Sequence, residues 1–293
     1  MKKTARRILI FLTISLLLAL IAAASLVYVR SLRRAPTPPV TLKAEETIRI
    51  LEGWTSRDIG QYFEGLGKWQ SEEFLEIAGF PQVDYRQEKD MPPLKDLSAQ
   101  FSFLADKPEY YGLEGYLFPD TYRIYASSTV QDVIDKMLAN FDKKLTLQMR
   151  KDIKAQGKTI YDIITMASLI EKEAPFDYQK KDNRDARIIS GVFWNRLKAG
   201  QALQSDATLS YIFSDNKPSH SGQELEIDSP YNTYKYRGLP PGPICNPGLL
   251  AIEAAIYPLA TDYNYFLTPK DQNTVIYART YAEHLKNKYQ YLK

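Results

Sequence analysis

A carboxylate occupies a helical position where a soluble protein normally places a leucine. In the stretch Thr159 to Ala174 (TIYDIITMASLIEKEA), Ile160, Ile163, Ile164, Ala167 and Ile170 recur at about 100° per residue, forming one apolar stripe of a helix. Glu171 stands four residues after Ala167 and seven after Ile164, so it projects from that stripe. Tyr161, Asp162, Thr165, Ser168 and Lys172 take the opposite face, and Glu173 points well away from the stripe. Burial disfavours the ionised form of a carboxyl, so Glu171 is expected to keep its proton toward neutral pH, the state a general acid needs. The helix alone leaves a structural alternative open, in which Glu171 lies at the edge of the stripe and reaches water or pairs with an arginine.

Three further segments join polar side chains to rigid punctuation. In Glu114-Gly115-Tyr116-Leu117-Phe118-Pro119-Asp120-Thr121-Tyr122, a glycine and a proline fix the backbone around Glu114. In Leu203 to Thr208, the residues Gln204, Ser205 and Asp206 sit at the entrance to a short helix. From Ser229 to Gly248, Tyr231, Asn232, Thr233, Tyr234 and Asn246 lie among so many prolines and glycines that little ordering entropy remains to be lost on binding. Each segment also has a purely structural reading, Asp206 as a helix cap and the Pro-Gly run as a turn.

The elements that must position these residues are helices first. Thr47 to Ile50 alternates like a strand. Thr55 caps a helix Ser56–Leu66, and Ser71 caps a second, Glu72–Ala78, giving a small strand-helix-helix unit. Residues 82–106 form a Pro-rich, charged connection. Ser128–Leu145 is amphipathic through Val130, Val133, Ile134, Met137, Leu138 and Phe141, with Ser128 or Thr129 as its cap. The Glu171 helix follows, then Asp185–Lys198; after Gly200 the pattern turns to strands and turns. No internal repeat is present, and the fold class is α+β.

Ahead of this body, Ile8 to Val29 is 22 residues without a charge, enough to cross a bilayer as a helix. Basic residues flank it on both sides, so charge gives only a weak preference for an inside amino terminus. A retained anchor is favoured over a cleaved signal peptide, because the apolar run continues past the small residues Ala22–Ala24. Ala35 to Pro39 is a polyproline spacer. The net charge of +3 is set by that leader: residues 1–34 hold seven Lys/Arg and no acid, and without them 31 basic residues face 35 acidic ones, a balance of −4. No basic body supports nucleic-acid binding. The single cysteine, Cys245, excludes an intramolecular disulfide and a Cys-based metal cluster. His220 and His284 match no zinc spacing and there is no Gly-rich phosphate loop, so neither a metal nor another cofactor is expected. The 21 tyrosines and three tryptophans suit sugar stacking as well as half-buried strands.

The segments EGYLFPDTY, ASLIEKEA, FWNRLKAGQALQSDAT and SPYNTYKYRGLPPGPICNPG, in this order, resemble the YceG-like family of endolytic murein transglycosylases over residues 45–293. The resemblance implies an anchor and cytoplasmic tail (1–34), a spacer (35–44), a LysM-like α/β module (45–82) and a mixed α+β catalytic domain (83–293) outside the cell membrane. It implies that Glu171, the first glutamate of Glu-Lys-Glu, is catalytic. In family terms it would protonate the MurNAc–GlcNAc oxygen within nascent peptidoglycan strands, while the muramyl C6 hydroxyl closes on C1 to leave a 1,6-anhydro end and so set strand length. Glu114, Gln204, Ser205, Asp206, Tyr231, Asn232, Thr233, Tyr234 and Asn246 would bind substrate, with Glu114 or Asp206 supporting oxocarbenium-like charge. Implied partners are glycan strands, the membrane crossed once, and peptidoglycan synthases (penicillin-binding proteins). The family's His-aromatic-Phe-Ser pattern is replaced here by Val275-Ile276-Tyr277-Ala278, ahead of Thr280, Glu283 and His284, so any role of that first histidine does not carry over. Two other readings stay open: an anchored glycan-binding scaffold with a structural Glu171, and a hydrolase that leaves reducing ends.

Overall fold

The computed structural model describes residues 2–33, 44–88, 90–177, 183–215, 217, 219–269 and 274–292. The chain divides into two compact units, Met1–Ala44 and Glu45–Lys293.

In the first unit, helix α1 runs Lys2–Arg33. Its stretch Arg6–Ser31, 26 residues of mean hydropathy 2.7, is the one helix among the described residues long and apolar enough to cross a membrane. Its large apolar side chains, Phe11, Leu12 and Val27 among them, are exposed. The expected polyproline spacer lies outside the described residues.

The second unit is helix-rich α+β. Strand β1 (Glu45–Arg49) is followed by α2 (Ser56–Gly65) and α3 (Ser71–Ala78), and β1 pairs antiparallel with β2 (Thr121–Tyr125), Ile48 opposite Tyr122. Thr55 and Asp58 close a reciprocal capping box that starts α2, satisfying two of the backbone donors a helix leaves open. Ser71, expected as the cap of α3, is its first helical residue instead; Gln70 holds the cap position without a side-chain bond. The Ser71 side chain packs on α2 instead, where a Cβ on Gly60 would stand 2.6 Å from its hydroxyl. Residues 45–82, read from the sequence as a LysM-like module, thus take their second strand from beyond residue 82. Their Ile48, Ile59, Phe63 and Phe74 belong to the same continuous core as Ile164, Phe193 and Ile252.

The remaining elements are α4 (Val130–Lys144), α5 (Leu147–Ala155), α6 (Ile160–Glu173), α7 (Arg184–Lys198), α8 (Asp206–Phe213), α9 (Leu249–Ile256), the short hairpin β3 (Tyr265–Leu267) and β4 (Ile276–Ala278), and α10 (Tyr281–Tyr291). Helix α4 buries the stripe expected of it, and Thr129 with Asp132 supplies its capping box. Two expectations need correction. The chain after Gly200, read as strands and turns apart from a short helix at Asp206, also carries the helices α9 and α10. Helix α9 (LLAIEAAI) buries five of its eight residues, so it shows no polar face from which a helical period could be read. Nor does α6 have a solvent face opposite its apolar stripe. Every residue from Ile163 to Ile170 is buried, Thr165 and Ser168 included, because α6 packs against α5, α7, α8 and α9 at once.

Candidate active site

Helix α6 ends between two environments, and its two glutamates go to different ones. Glu171 is half-buried, and its Oε2 accepts a hydrogen bond of 2.9 Å from the backbone N–H of Gly248, the cap residue of α9. On its other side the turn at Gly53 packs so near that a Cβ there would lie 3.6 Å from the Glu171 Cγ. Glu171 therefore ties α6 to the start of α9 and to the turn before α2, and a carboxylate there suits the positive end of the α9 dipole.

Glu173 opens on a cleft of about 340 Å³ lined by Thr55, Arg57, Asp58 and Gln61 of the α2 end, by Lys172 and Glu173, and by α8 and its exit from Asp206 to Lys217. Glu171 is not among the residues that line it. Burial pushes the Glu173 carboxyl above its ordinary value, and the neighbouring Asp206 adds to the rise. Hydrogen bonds from the Ser205 hydroxyl and the Ala207 backbone, with the charge of Arg196, pull the other way. Arg196 is itself buried and donates to the carbonyls of Leu203 and Asn264, which clamps the loop that carries Ser205.

Of the residues found from the sequence, Asp206 lines the cleft and Ser205 lies buried behind it with its hydroxyl on Glu173, and Tyr234 donates to Asp206 Oδ1 at 3.0 Å. Gln204 is exposed beside them with a left-handed φ of 51°. The other expected substrate residues are engaged elsewhere. Thr233 is buried, accepts from the Ser205 N–H at 3.0 Å and shares a hydrogen bond with Thr208. Asn232 donates to the carbonyls of Leu225 and Ile227 and accepts from the Tyr234 N–H, so it fixes its own loop. Tyr231 is buried against the Tyr211 ring, 5.2 Å between centroids.

Glu114 and Asn246 form a separate, buried cluster, and the pocket of about 20 Å³ that Glu114 lines is too small for a sugar. Asn246 Oδ1 accepts from the N–H groups of Gly115 and Leu117 at 2.9 and 3.0 Å, and its Nδ2 donates to the Trp54 carbonyl and to Glu114 Oε1, both at 3.0 Å. Glu114 also accepts from the Ser56 N–H, the first residue of α2. Burial pushes its carboxyl up to about 8, against the opposing Ser56 hydrogen bonds. Gly115, with φ 89°, allows this, since a Cβ there would meet Pro243 at 2.6 Å and Ile164 at 2.8 Å.

Sequence reasoning missed the α2 side of the cleft and His220. Arg57 reaches over to donate to the Ser214 hydroxyl at the end of α8. The His220 side chain is buried, stacked on Phe213, with Nδ1 3.8 Å from Asp206 and Nε2 3.4 Å from Asp215. Arg57 lies on the predicted α2 and His220 between Pro218 and Gly222, but the residues they meet are distant in sequence or placed by tertiary packing, so no local signal marks them. Among the described residues no group of three or more His, Cys, Asp or Glu side chains is placed to hold a metal ion.

Comparison with known proteins places this geometry among relatives. The model of the YceG-like family matches residues 27–290. A protein of Streptococcus pneumoniae strain R6 named endolytic murein transglycosylase is 35% identical over 262 residues, covering 82% of this chain and 44% of the relative. One of the same name from Bacillus subtilis strain 168 is 41% identical over 181 residues, covering 61% of this chain and 48% of the relative. The chain therefore spans about half the length of the curated relatives it matches. The crystal structure of a yceG-like protein from Listeria monocytogenes is similar with a TM-score of 0.69 and 31% identity, covering 82% of this chain and 75% of that one.

Proposed function

This chain belongs to the YceG-like family, and from that premise we propose that it is a murein lytic transglycosylase whose proton donor is Glu173. The observation that carries the assignment is that Glu173 is a carboxyl raised by burial which also lines the cleft. The names of the relatives support the reaction class. Glu171, expected from the sequence to be the acid, takes the supporting role its contacts with Gly248 and Gly53 describe.

In this reading a glycan strand lies along the cleft with a MurNAc–GlcNAc linkage against Glu173. The Glu173 proton goes to the bridging oxygen as its bond to muramyl C1 breaks, and GlcNAc leaves with a free hydroxyl. The muramyl C6 hydroxyl then bonds to C1 and returns its proton to Glu173, leaving a 1,6-anhydro end. The attacking group belongs to the substrate, so its effective concentration is high and no second carboxylate is required as nucleophile. Asp206, steadied by Tyr234, faces the positive charge that develops on the sugar ring. Helix α1 anchors the chain with the second unit outside the cell membrane, where nascent strands beside their synthases are cut to length.

Hydrolysis is the second reading, favoured by one observation: Asp206 lines the same cleft and is a carboxylate able to activate water. Product chemistry separates the two. Uncrosslinked strands incubated with the protein should yield fragments lighter by one water than hydrolytic ones and lacking a reducing end. Reducing ends would move the assignment to hydrolysis, and intact strands would favour the binding scaffold.

A further inference from the structure

We propose that Arg57, assisted by Lys172, reads a carboxylate on the muramyl substituent and so makes this cleft selective for anionic glycan strands. The inference rests on the glycan-cleaving reading above and adds to it which substituent is recognised and by which residues.

The charges lining the cleft are Arg57, Asp58, Lys172, Glu173, Asp206, Asp215 and Lys217. Most have partners within the protein. Asp58 completes the capping box with Thr55, Asp206 accepts from Tyr234, and Glu173 accepts from Ser205. Lys217 lies between Asp215 and Glu224. Arg57 and Lys172 differ, because neither makes an ion pair with a carboxylate among the described residues. Arg57 rests on a neutral acceptor, the Ser214 hydroxyl, and Lys172 is exposed. A guanidinium forks onto a carboxylate with two charge-assisted hydrogen bonds, roughly twice as strong as neutral ones, so an arriving carboxylate would displace Ser214.

The rest of the lining argues against a cleft built for neutral sugar alone. Among the described residues Tyr211 is its one aromatic, and it is buried with its hydroxyl directed to Glu114, so it offers no free ring face for stacking. Arg57 also lies on α2, which makes the strand-helix-helix unit one wall of the cleft.

The test uses the full chain in detergent and two substrates: uncrosslinked native strands, and the same strands with their carboxylates converted to methylamides. On native strands Arg57→Gln should raise KM by about tenfold with kcat little changed, the scale of one lost charge-assisted hydrogen bond. Wild type should lose a similar factor on amidated strands, and there Arg57→Gln should add nothing further. Arg57→Lys should recover part of the loss, and Lys172→Gln should show a smaller loss of the same kind. A thermal midpoint matching wild type shows that the variants fold. The proposal is overturned if wild type cleaves both substrates equally well, or if Arg57→Gln impairs both by the same factor. Failure of wild type to cleave either substrate would instead overturn the glycan-cleaving reading on which the proposal stands.

Discussion

Glu114 and Glu173 are both glutamates whose carboxyls burial pushes above the ordinary range, yet their surroundings differ in kind. Glu114 is held by the Ser56 N–H, the Asn246 amide and the Tyr211 hydroxyl, and the pocket it lines, about 20 Å³, is too small for a sugar. Around Glu173 the protein supplies Ser205 and Ala207 on one side and leaves the cleft on the other. A retained proton therefore marks a candidate acid only where substrate can reach it; in the Glu114 cluster the same physics fastens the start of α2 to the loop at 246. Residues of the first cluster should govern stability, and those of the second should govern rate and its pH dependence.

The largest effect expected on the Glu114 side is that of Asn246→Ala. It leaves the N–H groups of Gly115 and Leu117 without their acceptor and Glu114 Oε1 without the amide donor, and should lower unfolding free energy by about 3–5 kcal/mol in a urea titration. Equal stability of variant and wild type would break the comparison.

A second effect on this side concerns pH. The Glu114 carboxyl titrates at about 8 in the folded protein against an ordinary 4.5, so between those values the folded state binds the extra proton. The stabilisation is complete below about 4.5 and is lost as pH rises through about 8, so stability should fall across that window. Glu114→Gln, which cannot ionise, should flatten the decline seen in denaturation curves at successive pH values. An unchanged slope would show that Glu114 does not titrate there.

The smallest effect expected is on the cleft side. The Ser205 hydroxyl stabilises the ionised form of Glu173, so Ser205→Ala should raise the Glu173 pKa and move the alkaline limb of the rate profile to higher pH. A limb that stays in place or moves down would mean that another group controls it.

Much of this was legible in the sequence where structure is local. The α4 stripe, the Thr55 and Thr129 caps and the apolar span of α1 depend on residues three or four apart, and they stand as read. Where partners are distant, the reading stopped short. Asn246 and Thr233 look like substrate donors in a rigid loop, and nothing nearby shows that Asn246 meets Gly115, 131 positions away. The two glutamates of α6 show the same limit. Periodicity placed Glu171 on a core-facing stripe, but a helix enclosed over 163–170 has no outward side from which to judge its end. Which glutamate faces a cleft depends on where α8 and α9 begin, which is a tertiary fact.

The most direct test is therefore a paired one, in which Glu173→Gln and Glu171→Gln are given the same uncrosslinked strands and the rate of new strand ends is measured by mass. Glu173→Gln should lose about 10²–10⁴-fold in rate while remaining folded, as removal of a general acid does. Glu171→Gln, which keeps an oxygen for the Gly248 N–H, should retain activity within about tenfold of wild type, a loss worth about 1.4 kcal/mol. The reverse pattern, with Glu171→Gln inactive and Glu173→Gln active, would contradict the assignment of the proton donor.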